Sequence, residues 1–179
     1  MSFQDIYISM QEGFSAMTWR EGIAVIFGLA SVWYSKQENI LVYPTGLVST
    51  LIYVWICLEV GLYADMGINA YYFVMSIYGW YVWAKGGTTE NNLPITRTSF
   101  NEKIIGILLF IVTVFVVFGI YKYFGRKIEP DNYVDMISSG IFFAGMWYMA
   151  RKKIENWTLW IIGDIIVVPL YAYRGLGML

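Results

Sequence analysis

EGIAVIFGLASVWYS (residues 21–35) runs into Lys36-Gln37-Glu38-Asn39 and then directly into a second apolar stretch. Two long apolar runs joined by so short a polar break read as a tight hairpin of membrane helices. Hydrocarbon about 30 Å thick takes about 20 mostly apolar residues per helix. Outward from this hairpin, stretches of that kind lie at 20–36, 40–60, 66–85, 103–123, 134–150 and 156–173. The composition agrees. Of 179 residues, 58% are apolar, 19% aromatic and only 14% charged, against about 25% charged in an ordinary soluble domain. A water-soluble fold of this length would lack charges for its exterior. The sequence therefore predicts an all-α, polytopic membrane bundle with six spans.

The same counts exclude much chemistry. Twelve Lys and Arg against 13 Asp and Glu leave a net charge of −1, too balanced for a nucleic-acid-binding patch. There is no histidine, and Cys57 is the single cysteine. Zinc sites, Cys–His nucleophiles, histidine proton shuttles and intrachain disulfides thus lack their parts. No phosphate-binding GxxxxGK[ST] run occurs, so this chain does not itself drive transport with ATP. No catalytic residue, metal or cofactor is expected.

Residues 1–19 carry Phe3, Ile6, Tyr7, Met10, Phe14 and Met17 at helical spacing among polar residues, the pattern of an interfacial amphipathic helix. Pro44 falls in the first turn of the second span and Pro169 inside the sixth, where a kink is expected. The longest polar connection, Gly86-Gly87-Thr88-Thr89-Glu90-Asn91-Asn92-Leu93-Pro94, divides the chain near its middle. Alternate loops carry seven Lys and Arg on one side and five on the other. That asymmetry predicts an external N-terminus and cytoplasmic 1–2, 3–4 and 5–6 loops.

Ala30-Ser31-Val32-Trp33-Tyr34 in the first span is echoed by Ala144-Gly145-Met146-Trp147-Tyr148 in the fifth. Glu38-Asn39 is echoed by Glu155-Asn156, and Gly46 and Gly163 each follow eight residues after those glutamates. A parallel repeat of three helices, joined by one connecting helix, is expected. Parallel repeats of this kind belong to transporters, which bind substrate near the midplane between repeats. The chain then divides into an interfacial segment at 1–19, a first three-helix unit at 20–85, a polar linker with connecting helix at 86–130 and a second unit at 131–179.

Ionisable residues at bilayer depth are costly and by default functional, and only Asp164 lies centrally in a span. Trp157, Trp160 and Asp164 are spaced i, i+3 and i+7, which puts two indoles and a carboxylate on one helix face. Such a face suits a flat aromatic cation. Asn69, Tyr72 and Ser76 repeat the spacing in the third span, continuing to Trp80 and Trp83. An amide, a phenol and a hydroxyl there can orient a ribose or an amide group. Helix-to-helix hydrogen bonding is the bland reading of the same groups, and it is the one favoured for Ser76. Trp83 is expected in the interfacial belt. Ala24–Gly28 and Gly140–Ala144 are expected to let helices approach closely.

INAYYFVMSIYGWYVW (68–83) and ENWTLWIIGDIIVVPLYAYRG (155–175) resemble the third-helix segment and the WxxW element of the PnuC family of bacterial vitamin transporters. The likeness runs from about Trp19 to the C-terminus. It implies three helices, a linker helix and three helices, similar to a full-length SWEET transporter, assembled as a homotrimer in the bacterial inner membrane. It further implies facilitated diffusion of nicotinamide riboside, trapped by a cytoplasmic kinase, with Trp157 and Trp160 flanking the substrate. Asp164 departs from the Asn of the riboside transporters, which keeps thiamine as the alternative vitamin. With six spans where this architecture has seven, either a truncated chain or a wall supplied from elsewhere is expected, and truncation is favoured. Outside vitamin transport the rivals are weaker. One central carboxylate without a second acid or a histidine does not make an intramembrane enzyme. A non-transporting scaffold would have no need of Asp164.

Overall fold

The computed structural model describes residues 11, 15, 17–60, 63–86, 93–123 and 128–173. Most of the amphipathic segment expected at 1–19, and residues 87–92 of the central connection, lie outside the described residues. Six helices are seen among those described: α1 Trp19–Lys36, α2 Val42–Val60, α3 Tyr63–Gly86, α4 Phe100–Tyr123, α5 Pro130–Ala150 and α6 Glu155–Tyr173. Each coincides with one of the six apolar stretches to within four residues at either end.

Local chemistry explains the boundaries. Thr18 caps α1 in a reciprocal box with Glu21: the Thr18 N–H donates to the Glu21 carboxylate at 2.6 Å, and the Glu21 N–H donates to Thr18 Oγ1 at 3.3 Å. Ser99 and Glu102 repeat the device at α4. At α5 the Glu129 N–H donates to Asn132 Oδ1 at 2.9 Å and Pro130 takes the first turn, where a missing N–H costs nothing. Asn39 Oδ1 accepts from the Leu41 N–H at 3.0 Å just ahead of α2. Pro44 is in the first turn of α2 and Pro169 is inside α6.

Successive helices pack as α1 on α2, α2 on α3, α4 on α5 and α5 on α6, and the two groups meet through α3 and α5. Beside an apolar core that includes Val42, Tyr43 and Met136, small and hydroxyl-bearing residues let helices come close, as is common between helices in lipid. Ser31 Oγ donates to the Val42 carbonyl and Ser49 Oγ to the Ala24 carbonyl, both at 2.8 Å. Ala24 is fully buried, and Gly28 faces Ser49. Gly140 sits against Phe110 of α4, where a Cβ would come within 2.7 Å of its ring and 3.0 Å of its carbonyl oxygen. Both small-residue pairs thus serve packing.

Val42–Glu59 and Phe100–Tyr123 are each long and apolar enough to cross a bilayer. Only 11% of the α4 stretch is buried within the chain, and Ile104, Ile107, Leu108, Val112, Phe115 and Val116 all point outward. A water-soluble protein would hide such a helix. This one is dressed for hydrocarbon.

One end of the bundle is sewn together. Thr96, in the connection before α4, bridges to the α5–α6 turn through the Thr96 N–H to the Lys152 carbonyl at 3.1 Å and the Ile154 N–H to the Thr96 carbonyl at 3.0 Å. Glu102 receives Lys153 Nζ at 2.9 Å and Arg151 Nε at 3.3 Å while also capping α4. Its side chain is nearly buried, so removing it orphans several donors at once. Glu102→Ala is expected to lower the melting temperature in detergent by about 2–8 °C, more than Glu129→Ala at the α5 cap.

Trp83 is a correction to the sequence reading. It is 9% exposed, packed edge-on against Tyr43 with centroids 5.1 Å apart, and covered by Leu93 and Met149. Lys152 Nζ lies 4.4 Å over its ring. A tryptophan near a span end joins the interfacial belt only where lipid reaches it, and here neighbouring segments fold over the helix end.

Candidate functional site

Where α3, α5 and α6 converge, aromatic side chains form a continuous cluster. Neighbouring residues on a helix diverge by about 100°, so Tyr71 and Tyr72 point to different partners. Tyr71 lies flat on Phe143 of α5, centroids 3.8 Å apart with planes 4° from parallel, and its hydroxyl donates to the Phe143 carbonyl at 2.9 Å. That pairing ties α3 to α5. Tyr72 turns toward α6: its ring lies 6.1 Å from Trp160 and 6.1 Å from Phe143. Phe142 closes on Trp160 from α5 at 5.2 Å.

Trp160 is central to this arrangement. Gly145 of α5 lies beside the indole, at ordinary contact distance, and Gly163 of α6 leaves the room that the Phe142 ring occupies. Trp160 Nε1 is buried and has no hydrogen-bond partner among the described residues. A buried donor without a partner costs about 1–3 kcal/mol; Tyr43 Oη and Trp83 Nε1 are likewise unpartnered among the described residues, so it is the surrounding aromatic faces that set Trp160 apart. Aromatic faces and one unspent donor suit a flat ring carrying acceptor groups.

The other residues singled out in the sequence are distributed more widely. Trp157 is half-buried one turn before Trp160 and lines a small cavity with Lys152 and Trp83. Asn69 is half-buried, one turn from Tyr72 on α3. Ser76 is buried against Gly46 of α2, and Trp80 is 41% exposed. Asp164 is exposed on α6, among the exposed Ile161, Ile162, Ile165 and Val168. Sequence reading missed Tyr71, Phe142, Phe143 and Gly145. A signal was there: Ser138-Ser139-Gly140-Ile141-Phe142-Phe143-Ala144-Gly145 sets two large rings in a run of small residues, as a helix does when neighbours press close on both sides.

A family model described as nicotinamide mononucleotide transporter matches residues 18–179. The chain belongs to this family, that of PnuC. Among its relatives, the nicotinamide riboside transporter PnuC of Escherichia coli is 26% identical, covering 95% of this chain and 81% of that protein. The riboflavin/roseoflavin transporter RibM of Streptomyces davaonensis is 24% identical, covering 88% and 76%. The crystal structure of the vitamin B3 transporter PnuC superposes with a TM-score of 0.69 at 20% identity, covering 97% of this chain and 77% of that one. Membership of the PnuC family makes the chain a membrane transporter and not an enzyme. Among the described residues its all-helical fold is that of the PnuC crystal structure, and the outward apolar surface of α4 suits a membrane protein.

Proposed function

We propose that this PnuC-family chain carries nicotinamide riboside across the bacterial inner membrane by facilitated diffusion. The aromatic cluster around Trp160, with its unpartnered indole N–H, is the observation that carries the reading. Trp157 and Trp160 flank the vitamin, and Tyr72 and Asn69 face it from α3; Asp164, expected from the sequence to meet the positively charged ring, is exposed on the outer side of α6 and is left out of the site. Ser76 packs against Gly46 of α2 and is assigned to helix packing, while Trp80 stands further along α3.

Two halves, α1–α3 and α5–α6, form a parallel repeat joined by α4, part of an architecture of three, one and three helices in which the substrate lies between repeats. The N-terminus is external, the functional unit is a homotrimer, and phosphorylation by a cytoplasmic kinase retains the vitamin inside the cell.

Purified protein in detergent is expected to melt higher with nicotinamide riboside, by about 2.7 kcal/mol of stabilisation at one hundred times Kd. Thiamine, riboflavin and the mononucleotide are expected to leave the melting curve unchanged at the same concentration. In proteoliposomes without an ion gradient, uptake should level off when internal and external concentrations are equal. Accumulation that needs a proton gradient would overturn facilitated diffusion. Selective stabilisation by thiamine or riboflavin would replace the substrate.

A further inference from the structure

We propose that Lys152 is a latch that holds the α5–α6 hairpin closed on the α1–α2 hairpin at the sewn end of the bundle. The proposal rests on the transport reading above only in that a carrier must part its two halves at one end and then the other.

The two hairpin turns are built alike. The Asn39 N–H donates to the Tyr34 carbonyl and the Lys153 N–H to the Tyr148 carbonyl, both at 2.9 Å, and Glu38 and Lys152 alone among the described non-glycine residues have positive φ, at 55° and 52°. The two turns thus align at an offset of 114 residues, with Glu38 corresponding to Lys152 as Ser35 does to Met149; this register corrects the sequence reading, which sets Glu38-Asn39 against Glu155-Asn156 and Gly46 against Gly163. Counterparts touch each other only on the line about which two halves are related. Both pairs touch: Lys152 Nζ lies 3.2 Å from Glu38 Oε2, and Ser35 Oγ lies 3.8 Å from Met149 Sδ. The seam between the halves passes through these four residues.

At that seam the sequence has placed opposite charges. The Lys152 side chain is 3% exposed, a burial that lysine tolerates only with partners. Its ammonium is paired with the Glu38 carboxylate and lies 4.4 Å over the Trp83 ring. Both partners belong to the first half, and Trp83 is itself braced edge-on by Tyr43 of α2. Glu38 is about half exposed, so water reaches the pair and replaces the contacts when the halves part. A partly exposed pair of this kind is weak enough to release, while the aromatic face adds a preference for the docked ammonium. Beneath it lies a cavity of about 20 Å3, lined by Ser35, Met149, Asn156 and Trp157. That space has room for about one water.

The latch is tested without any substrate. In the full chain with Cys57→Ser, a Ser35→Cys reporter beneath the latch is labelled with a soluble maleimide, and the rate is compared for Lys152, Lys152→Met and Lys152→Arg. Lys152→Met keeps the length of the side chain and loses the charge, and it is expected to label about tenfold faster. Lys152→Arg retains a cation for both partners and should label at close to the parental rate. Glu38→Gln, which alters only the half-exposed partner, should be faster by about threefold. Equal rates for Lys152 and Lys152→Met, at unchanged melting temperature, would overturn the proposal. So would an Arg variant as fast as the Met variant, which would make Lys152 a packing residue. Should Lys152→Met not fold, Glu38→Gln decides alone, and an unchanged rate there refutes the latch. Because no vitamin is present, these outcomes are independent of the substrate named above.

Discussion

Trp160→Ala is expected to weaken nicotinamide riboside binding by about tenfold to a hundredfold, because stacking of a base on an aromatic face is worth about 1–3 kcal/mol. Trp160→Phe separates the two contributions of the indole. It keeps a ring against Phe142 and Tyr72 but removes the buried donor that has no partner among the described residues. A loss of about threefold to tenfold is expected for that single hydrogen bond. Titration calorimetry or quenching of tryptophan fluorescence measures both. The Ala variant removes a ring packed against Tyr72 and Phe142, so its melting temperature without ligand should fall, and binding is compared well below that temperature. Undiminished binding by Trp160→Ala would move the site away from the α3–α5–α6 cluster.

Gly140→Leu should be the most damaging single change to the fold. A Cβ at Gly140 already meets the Phe110 ring at 2.7 Å and the Phe110 carbonyl oxygen at 3.0 Å. The ring can turn aside, but the carbonyl belongs to helix backbone and cannot. A leucine must force α4 and α5 apart, costing about 3 kcal/mol or more, read as a fall in melting temperature in detergent of about 6–12 °C. Gly119→Leu on α4 is the control, since a Cβ there meets nothing within 4 Å. It is expected to be neutral or slightly stabilising, because leucine is the better helix former. Equal melting of the two variants would mean that α4 and α5 are not in close contact.

How legible was this protein before its structure? The six helices were, since each apolar stretch is long enough for one, although among the described residues only Val42–Glu59 and Phe100–Tyr123 are also apolar enough to cross a bilayer; the capping pairs Thr18–Glu21 and Ser99–Glu102 at the starts of α1 and α4 went unread. Close approach at Ala24–Gly28 and Gly140–Ala144 was legible too, because small residues at helical spacing leave room for nothing else. The site was half legible. Trp160 and Tyr72 stood out by chemistry and spacing along their own helices. Tyr71, Phe142, Phe143 and Gly145 did not, because their place beside Trp160 depends on which face of α5 turns toward α3 and α6.

Trp83 shows the same division most plainly. Its position near a span end is a property of the chain, and on that alone it belongs in the interfacial belt. Its burial under Leu93, Met149 and Lys152 follows from contacts between segments distant in sequence. Sequence alone determined the helices, their approximate lengths and the want of parts for histidine or phosphate-cradle chemistry, because each rests on local spacing or on composition. Only the tertiary structure decided that Glu38 meets Lys152, its counterpart 114 residues away, that Trp160 keeps an unpaired donor and that Asp164 faces outward. Those facts depend on how rigid helices are rotated and seated against one another, and no single helix encodes that.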